Sequence, residues 1–352
     1  ADREGLCMLM PTDTDAPIRQ RLADELTRVE SRFRAELMSD LECVNTLVDH
    51  VEQFRGKMLR PTLVLACGLA AGESAVGESA SDAMAVGAEE KLRVVSTVVE
   101  MVHMATLVHD DILDEADVRR RGHTVNALTG NETAVMLGDY LISHAYHLCS
   151  SLDDQAISRQ VAATTNVVCE GELLQLSNRH HWELDEPTYF DIIRRKTASL
   201  CGLCCRLGAE LGGADAATIE AYEGYGERLG VAFQVIDDVL DLTGDEAVVG
   251  KSLGLDAQKH KLTLPLIHHL ATGDGEQRTA TLSLLRDRPE GAPPPRGLLR
   301  RAIESTGSIA YARSQAQGLV DQAKARVAAV SGDGPAAQLL IGLADAVTAR
   351  DR

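Results

Sequence analysis

Residues 92–116 read LRVVSTVVEMVHMATLVHDDILDEA. Apolar side chains recur there at the three-and-four spacing of an α-helix, then give way to His109-Asp110-Asp111-Ile-Leu-Asp114. The same order returns in residues 225–242, YGERLGVAFQVIDDVLDL, where an apolar helical run ends in Asp237, Asp238 and Asp241. Residues 46–70, TLVDHVEQFRGKMLRPTLVLACGLA, and 134–152, AVMLGDYLISHAYHLCSSL, carry the same period. Strand-like alternation between turn residues is scarce, and no Gly-rich strand-to-helix turn occurs. This pattern predicts an all-α fold, a single-domain helix bundle over residues 1–352. Surface loops are expected near 71–90, where GESA occurs twice, and at 288–297, where RPEGAPPPRG cannot continue a helix. The glycine-punctuated stretch 244–256 reads as a flap.

Only 3% of the residues are aromatic, so the core must be built from Ala, Leu, Val and Ile. A formal charge of -18 argues against nucleic acid as a partner, because such binding needs Lys and Arg to neutralise phosphates. A small phosphorylated substrate remains open if a local basic cluster or recruited cations meet it. The cysteines show no disulfide-framework spacing, and Cys201, Cys204 and Cys205 fall on one helical face as core thiols with no matching second zinc pair. The N-terminal segment has no secretory pattern, and no long uninterrupted apolar run announces a membrane span. A cytoplasmic setting follows from these readings.

Each acidic run has the form DDxxD at the end of an apolar helix. Residues i and i+4 share a helical face, so Asp110 and Asp114 project together, as do Asp237 and Asp241. Three carboxylates within about one turn repel one another unless cations intervene, and hard oxygen ligands suit Mg²⁺ shared with substrate phosphates. If the two helices face each other, the runs form the walls of a diphosphate clamp. Basic residues lie where phosphates want them: Gly56-Lys57-Met58-Leu59-Arg60-Pro61, and Arg119-Arg120-Arg121 just beyond the first acidic run.

The ordered set GKxxRP, HxxxxxHDDxxDxxDxRR, GD, GExxQ, KTA, FQxxDDxxD and GKxxGxDxxxxKxTLP resembles the trans-polyprenyl diphosphate synthases, of the long-chain type. It covers residues 56–61, 103–120, Gly138-Asp139, 171–175, 196–198, 233–241 and 250–265. The resemblance implies an isoprenoid-synthase helix bundle around a central apolar cavity and a homodimer that contacts membrane transiently when product leaves. It implies that Asp110, Asp111 and Asp114, with Asp237, Asp238 and Asp241, hold three Mg²⁺ ions, for which Mn²⁺ can substitute. Arg119, Lys196 and Lys261 then contact the allylic diphosphate. Lys57, Arg60, His103 and Arg120 bind isopentenyl diphosphate, while Gln234 and Thr197 place the reacting carbons. The chain departs from the pattern at Arg55, at Arg121 and at His260, which stands where glycine usually precedes the lysine.

His180 and His181 read as surface residues, and His109 as packing or as a neighbour that tunes the acidic run. A terpene cyclase would lack the second acidic run and the GKxxRP segment; a non-catalytic regulatory subunit would have degraded aspartates. Both features are intact here. Product length is expected to depend on Thr106, Ala105, Val102, Val99 and Val98, which climb away from Asp110. One helical turn is ~5.4 Å, close to the reach of one prenyl unit. All five are small or β-branched, so a tunnel beside them stays open, with Tyr146 as a floor. A long all-trans product follows, with geranylgeranyl diphosphate as the alternative.

Overall fold

The structure is a computed structural model that describes residues 16–53, 56–76, 86–119, 122–244, 254–287 and 294–349. Its helices are α1 (Ala16–Leu37), α2 (Glu42–Glu52), α3 (Leu59–Val76), α4 (Val86–Leu113), α5 (Val125–Thr129), α6 (Asn131–Ser150), α7 (Gln155–Ser177) and α8 (Glu186–Ile193). A single π-helical turn, Arg194–Ala198, leads into α9 (Ser199–Leu211). Then follow α10 (Ala216–Thr243), α11 (Leu255–Gln258), α12 (Leu264–Thr272), α13 (Gly275–Arg286), α14 (Arg296–Ser305), α15 (Ser308–Val330) and α16 (Pro335–Thr348). The strands among the described residues are β1 (Val118–Arg119) and β2 (Gly122–His123), an antiparallel pair just past α4. The all-helical expectation therefore holds.

The chain divides into two compact units. The first comprises residues 1–165, 200–226 and 323–346, and the second 166–199, 227–322 and 347–352.

In the first unit α4 packs against α6, α3 and α1. The buried stripe of α1, Leu22, Leu26, Val29, Phe33 and Leu37, follows the helical period and closes one side of this core. Few aromatics are available, and two of the largest are spent here with their hydroxyls satisfied. Tyr222 meets Ser331 Oγ at 2.6 Å and Tyr225 donates to the Leu340 carbonyl at 2.7 Å. The described cysteines are all free thiols. Cys201, Cys204 and Cys205 are buried in the core as expected, and burial pushes each thiol above its ordinary pKa.

In the second unit α12 contacts α8, α13 and α14. His269, fully buried on α12, bonds Thr306 and Thr281 through its two ring nitrogens at 2.9 and 2.8 Å. Tyr311 donates to Glu186 at 2.6 Å and stacks on His268 at 4.0 Å.

The bounds of the expected loops need correction. The stretch 71–90 is not all loop, because α3 continues to Val76 and α4 begins at Val86. Its Ala and Glu residues favour helix once the flanking turns are packed, and small-residue composition hid this. Likewise α14 begins at Arg296, inside the expected 288–297 loop. Residues 77–85, 288–293 and 245–253, the last being most of the expected flap, lie outside the described residues. Residues 87–113 of α4, though interrupted by charged side chains, are long and apolar enough to cross a membrane by length and composition. Of its most apolar 18-residue window, 72% is buried within the fold, which accounts for its apolar character as core helix.

α1 is tied to α4 by a charged pair whose energetics can be read. Arg93 donates to Glu25 through Nε at 2.5 Å and Nη2 at 3.0 Å. Burial pushes the Glu25 carboxyl up, but the hydrogen bonds and charges of Arg93 and Arg28 outweigh it and hold the carboxyl below its ordinary pKa. A folded-state pKa below the unfolded value means that this stabilisation is complete above the unfolded pKa and disappears as acid protonates the folded carboxylate. Glu25→Gln should therefore cost about 2 kcal/mol of unfolding free energy at neutral pH. That cost should shrink as the pH falls, and denaturant unfolding across an acid pH series checks it. A penalty independent of pH would show that the pair's charge is not what holds α1.

Candidate active site

The first acidic run sits where α4 stops. The N–H of Ala116 bonds the Asp111 carbonyl at 2.9 Å and that of Glu115 bonds Ile112 at 3.1 Å, with Glu115 at φ 46°. This is the left-handed Schellman ending, usually built on glycine, and it turns the chain sharply into β1. Asp110 and Asp114 are half-buried, whereas Asp111 is only 6% exposed. Arg119, carried on β1, donates to Asp111 from Nε at 2.9 and 3.0 Å and from Nη2 at 2.7 Å. Burial pushes the Asp111 carboxyl above its ordinary pKa, and Arg119 offsets this only in part. Arg119, expected on phosphate, is thus engaged by the middle aspartate. His109 lies against α6: its Nε2 is 3.3 Å from the Val135 carbonyl and 3.7 Å from Asp139. A Cβ on Gly138 would lie 2.1 Å from that ring, so the Gly138-Asp139 motif is what admits it.

The second run, on α10, repeats the division of labour. Asp238 is 5% exposed and Asp241 4%, while Asp237 is half-buried. Asp238 accepts from the Tyr189 hydroxyl at 2.7 Å and from Gln234 Nε2 at 2.9 Å. Gln234 in turn accepts from Thr197 Oγ1 at 3.0 Å. Burial and the charge of Asp256 push the Asp238 carboxyl well above its ordinary pKa, against the hydrogen bonds it accepts. Tyr189 is a residue that the sequence did not single out; its only signal is an aromatic seven positions before Lys196 in a chain poor in aromatics.

Lys196 and Thr197 belong to the π-turn, whose i→i+5 bond runs from the Ser199 N–H to the Arg194 carbonyl. Such turns are frequent at functional sites because they re-aim side chains within a helix. Lys196 donates to Gln175 at 3.0 Å and is ion-paired with Glu172. The backbone of Lys196 can approach α7 only at Gly171, where a Cβ would sit 2.5 Å from the Lys196 nitrogen. The GExxQ and KTA segments, separate in sequence, therefore form one packed unit.

Lys261 is 9% exposed, with its N–H on the Asp256 carbonyl at 2.9 Å. That bond and His260 N–H to the Ala257 carbonyl at 3.3 Å make a second Schellman ending, after α11, with His260 at φ 58°. Glycine is favoured at such a position, which gives the physical reason for the glycine of the usual pattern that His260 replaces. The His260 ring packs at a tilt against His180 at 4.0 Å and meets Trp182 edge-on at 5.6 Å, contacts that glycine could not make. His180 and His181 are exposed, as expected.

Lys57 is exposed just before α3 and Arg60 is half-buried in its first turn, with Met58 at φ 53° between them. Arg60 Nε is buried without a hydrogen-bond partner, a donor in want of an acceptor. His103 is half-buried on α4, its carbonyl accepting from Thr106 at 2.7 Å. Ala105, Val102, Val99 and Val98 are buried, Thr106 and Tyr146 half-buried. Arg120, together with Arg55 and Arg121, lies outside the described residues.

Among the described residues no three carboxylate, imidazole or thiol groups converge into a metal site by themselves. The donor set suits Mg²⁺, which is commonly held by one or two carboxylates and completed by substrate phosphates and water. Asp110, Asp114 and Asp237 are the half-buried carboxylates of the two runs.

The polyprenyl synthetase family profile matches residues 41–293. The octaprenyl diphosphate synthase of Escherichia coli is 32% identical over 339 residues, 95% of this chain and 98% of that one. The all-trans-nonaprenyl-diphosphate synthase of Rhodobacter capsulatus is 34% identical over 269 residues, 76% of this chain and 78% of its own length. A polyprenyl synthase structure from Caulobacter crescentus, complexed with calcium and isoprenyl diphosphate, superposes with a TM-score of 0.86 at 29% identity. It covers 97% of this chain and 100% of that one.

The close approach at Gly171 makes a direct prediction. Gly171→Ala should destabilise the protein by about 1–3 kcal/mol, since backbone and not a flexible side chain must yield. Gly318→Ala, on α15 with open space around it, should be neutral or stabilising by up to about 1 kcal/mol. Thermal unfolding of both variants checks the contrast; equal effects would mean that the π-turn is not pinned at Gly171.

Proposed function

The chain belongs to the polyprenyl synthetase family, and from that premise we propose that it is a prenyltransferase condensing isopentenyl diphosphate with an allylic diphosphate into a long-chain all-trans polyprenyl diphosphate. The observation that carries this reading is the matched build of the two acidic runs. In each, the middle aspartate is buried and hydrogen-bonded inward, and the first remains accessible. Similarity to octaprenyl and nonaprenyl synthases over most of their length favours a long product over geranylgeranyl diphosphate.

Each acidic run would hold Mg²⁺, through Asp110 and Asp114 on α4 and through Asp237 and Asp241 on α10, three ions in all, with Asp111 and Asp238 securing the two helix ends. Bound Mg²⁺ offsets the negative charge that gathers on the departing diphosphate. Lys196, Lys261 and Arg119 meet the same diphosphate, for which Lys196 exchanges its contacts to Glu172 and Gln175. Lys57, Arg60, His103 and Arg120 bind the diphosphate of isopentenyl diphosphate. The unpartnered Nε of Arg60 supports an anion there. No protein nucleophile is required: the π-bond of isopentenyl diphosphate attacks the allylic cation, and the departed diphosphate takes the proton lost. Thr197 and Gln234 place the reacting carbons, and exclusion of water keeps the cation from being quenched. The calcium in the Caulobacter structure supports a divalent-cation site, and Mn²⁺ is expected to replace Mg²⁺. The chain acts as one synthase domain in a cytoplasmic homodimer that touches membrane only to release product.

Purified chain given Mg²⁺, farnesyl diphosphate and labelled isopentenyl diphosphate should release diphosphate and form polyprenols longer than geranylgeraniol after dephosphorylation. Asp110→Ala or Asp237→Ala should lower kcat by roughly a thousandfold or more, since each removes a ligand acting where charge develops. No elongation by the wild type, or near-normal turnover in either variant, would sink the assignment.

Product length is expected to respond to Ala105, buried on α4. Ala105→Phe should shorten the product sharply, because a ring about one turn below the acidic run blocks the path of the growing chain. Tyr146→Ala should lengthen it. Chromatography of the dephosphorylated products against polyprenol standards reads both, and an unchanged distribution in Ala105→Phe would refute the tunnel beside α4.

A further inference from the structure

Tyr189 lies on α8 with only 3% of its surface exposed. A buried phenol needs one acceptor, and a backbone carbonyl suffices, as for Tyr225 on Leu340. Tyr189 instead donates to Oδ2 of Asp238, in the second acidic run. The other carboxylate oxygen, Oδ1, takes the side-chain N–H of Gln234, one helical turn earlier.

Both oxygens of Asp238 thus accept, one from each donor. The Gln234 amide must therefore present its NH₂ to Asp238 and its carbonyl to Thr197, whose hydroxyl then has to donate. The order Tyr189, Asp238, Gln234, Thr197 thus has a fixed polarity from one end to the other. It starts on α8, passes through α10 and ends on the π-turn. Without the phenol, the Asp238 carboxylate keeps one donor and can rotate, which loosens the Gln234 amide that holds the Thr197 hydroxyl.

We propose that Tyr189 is a positioning residue, which acts through Asp238 and Gln234 to fix the Thr197 hydroxyl for the prenyl-transfer step. This rests on the reading of Gln234 and Thr197 given above. The phenol touches no substrate; it sets which atoms of the amide and hydroxyl face the reacting carbons.

A double-mutant cycle on Tyr189→Phe and Asp238→Asn in the full chain tests this. Steady-state kinetics are read well below the unfolding midpoint, and unfolding of the metal-free protein is read in parallel. Tyr189→Phe should lower kcat about tenfold while leaving KM for each diphosphate substrate within about twofold. The double variant should be no slower than Asp238→Asn alone, and the two substitutions should be non-additive in unfolding. Gln234→Leu, which cuts the relay one step further along, should likewise make an added Tyr189→Phe silent in kcat. A role confined to core packing would lower the unfolding midpoint and leave kcat intact, and that result overturns the proposal. Multiplicative losses in the double variant also overturn it. If the wild type elongates no substrate, the assigned reaction fails, whereas the metal-free unfolding cycle still decides whether Tyr189 and Asp238 are coupled.

Discussion

Successive residues on an α-helix point about 100° apart, so the two adjacent aspartates of a DDxxD run cannot share a direction. One of them must turn into the protein, where an unpaired carboxylate is costly. The rest of the site is arranged around that constraint. Asp111 is met by Arg119, which reaches it only because α4 ends in a Schellman turn and returns as β1. Asp238 is met by Tyr189 and Gln234, which brings α8 and the π-turn into register with α10. The same spacing leaves Asp110 and Asp114 together on an accessible face, and the charge this concentrates is what a divalent cation answers.

Close backbone approaches do the remaining positioning. Gly171 lets the Lys196 backbone lie against α7, so that the lysine can pair with Glu172 and Gln175. Gly138 admits the His109 ring next to the first acidic run. Both glycines fall in short motifs whose charged members draw attention first. The glycine decides whether those members can meet at all.

At His260, where the motif pattern has glycine, backbone geometry shows what the substitution meets. His260 stands in the left-handed conformation at which glycine carries no steric cost. The side chain there packs at a tilt against His180 and meets Trp182 edge-on, contacts that offset the penalty. Lys261 follows directly and keeps its N–H on Asp256, so the substitution leaves the lysine's backbone anchored.

The sequence by itself determined the helical class, the two acidic runs and their i, i+4 facing pairs, because helical period and side-chain charge are local properties. It also marked Lys57, Arg60, Lys196 and Lys261 through the order of their motifs. It could not set the ends of α3 and α4 in the small-residue stretch 71–90, where local composition favours loop and helix almost equally and packing decides. Nor could it tell which aspartate of each run is buried, that Arg119 belongs to Asp111, or that Tyr189 belongs to Asp238. Those pairings join residues brought together by the fold, and burial, which makes an unpaired carboxylate expensive, exists only once the helices have packed.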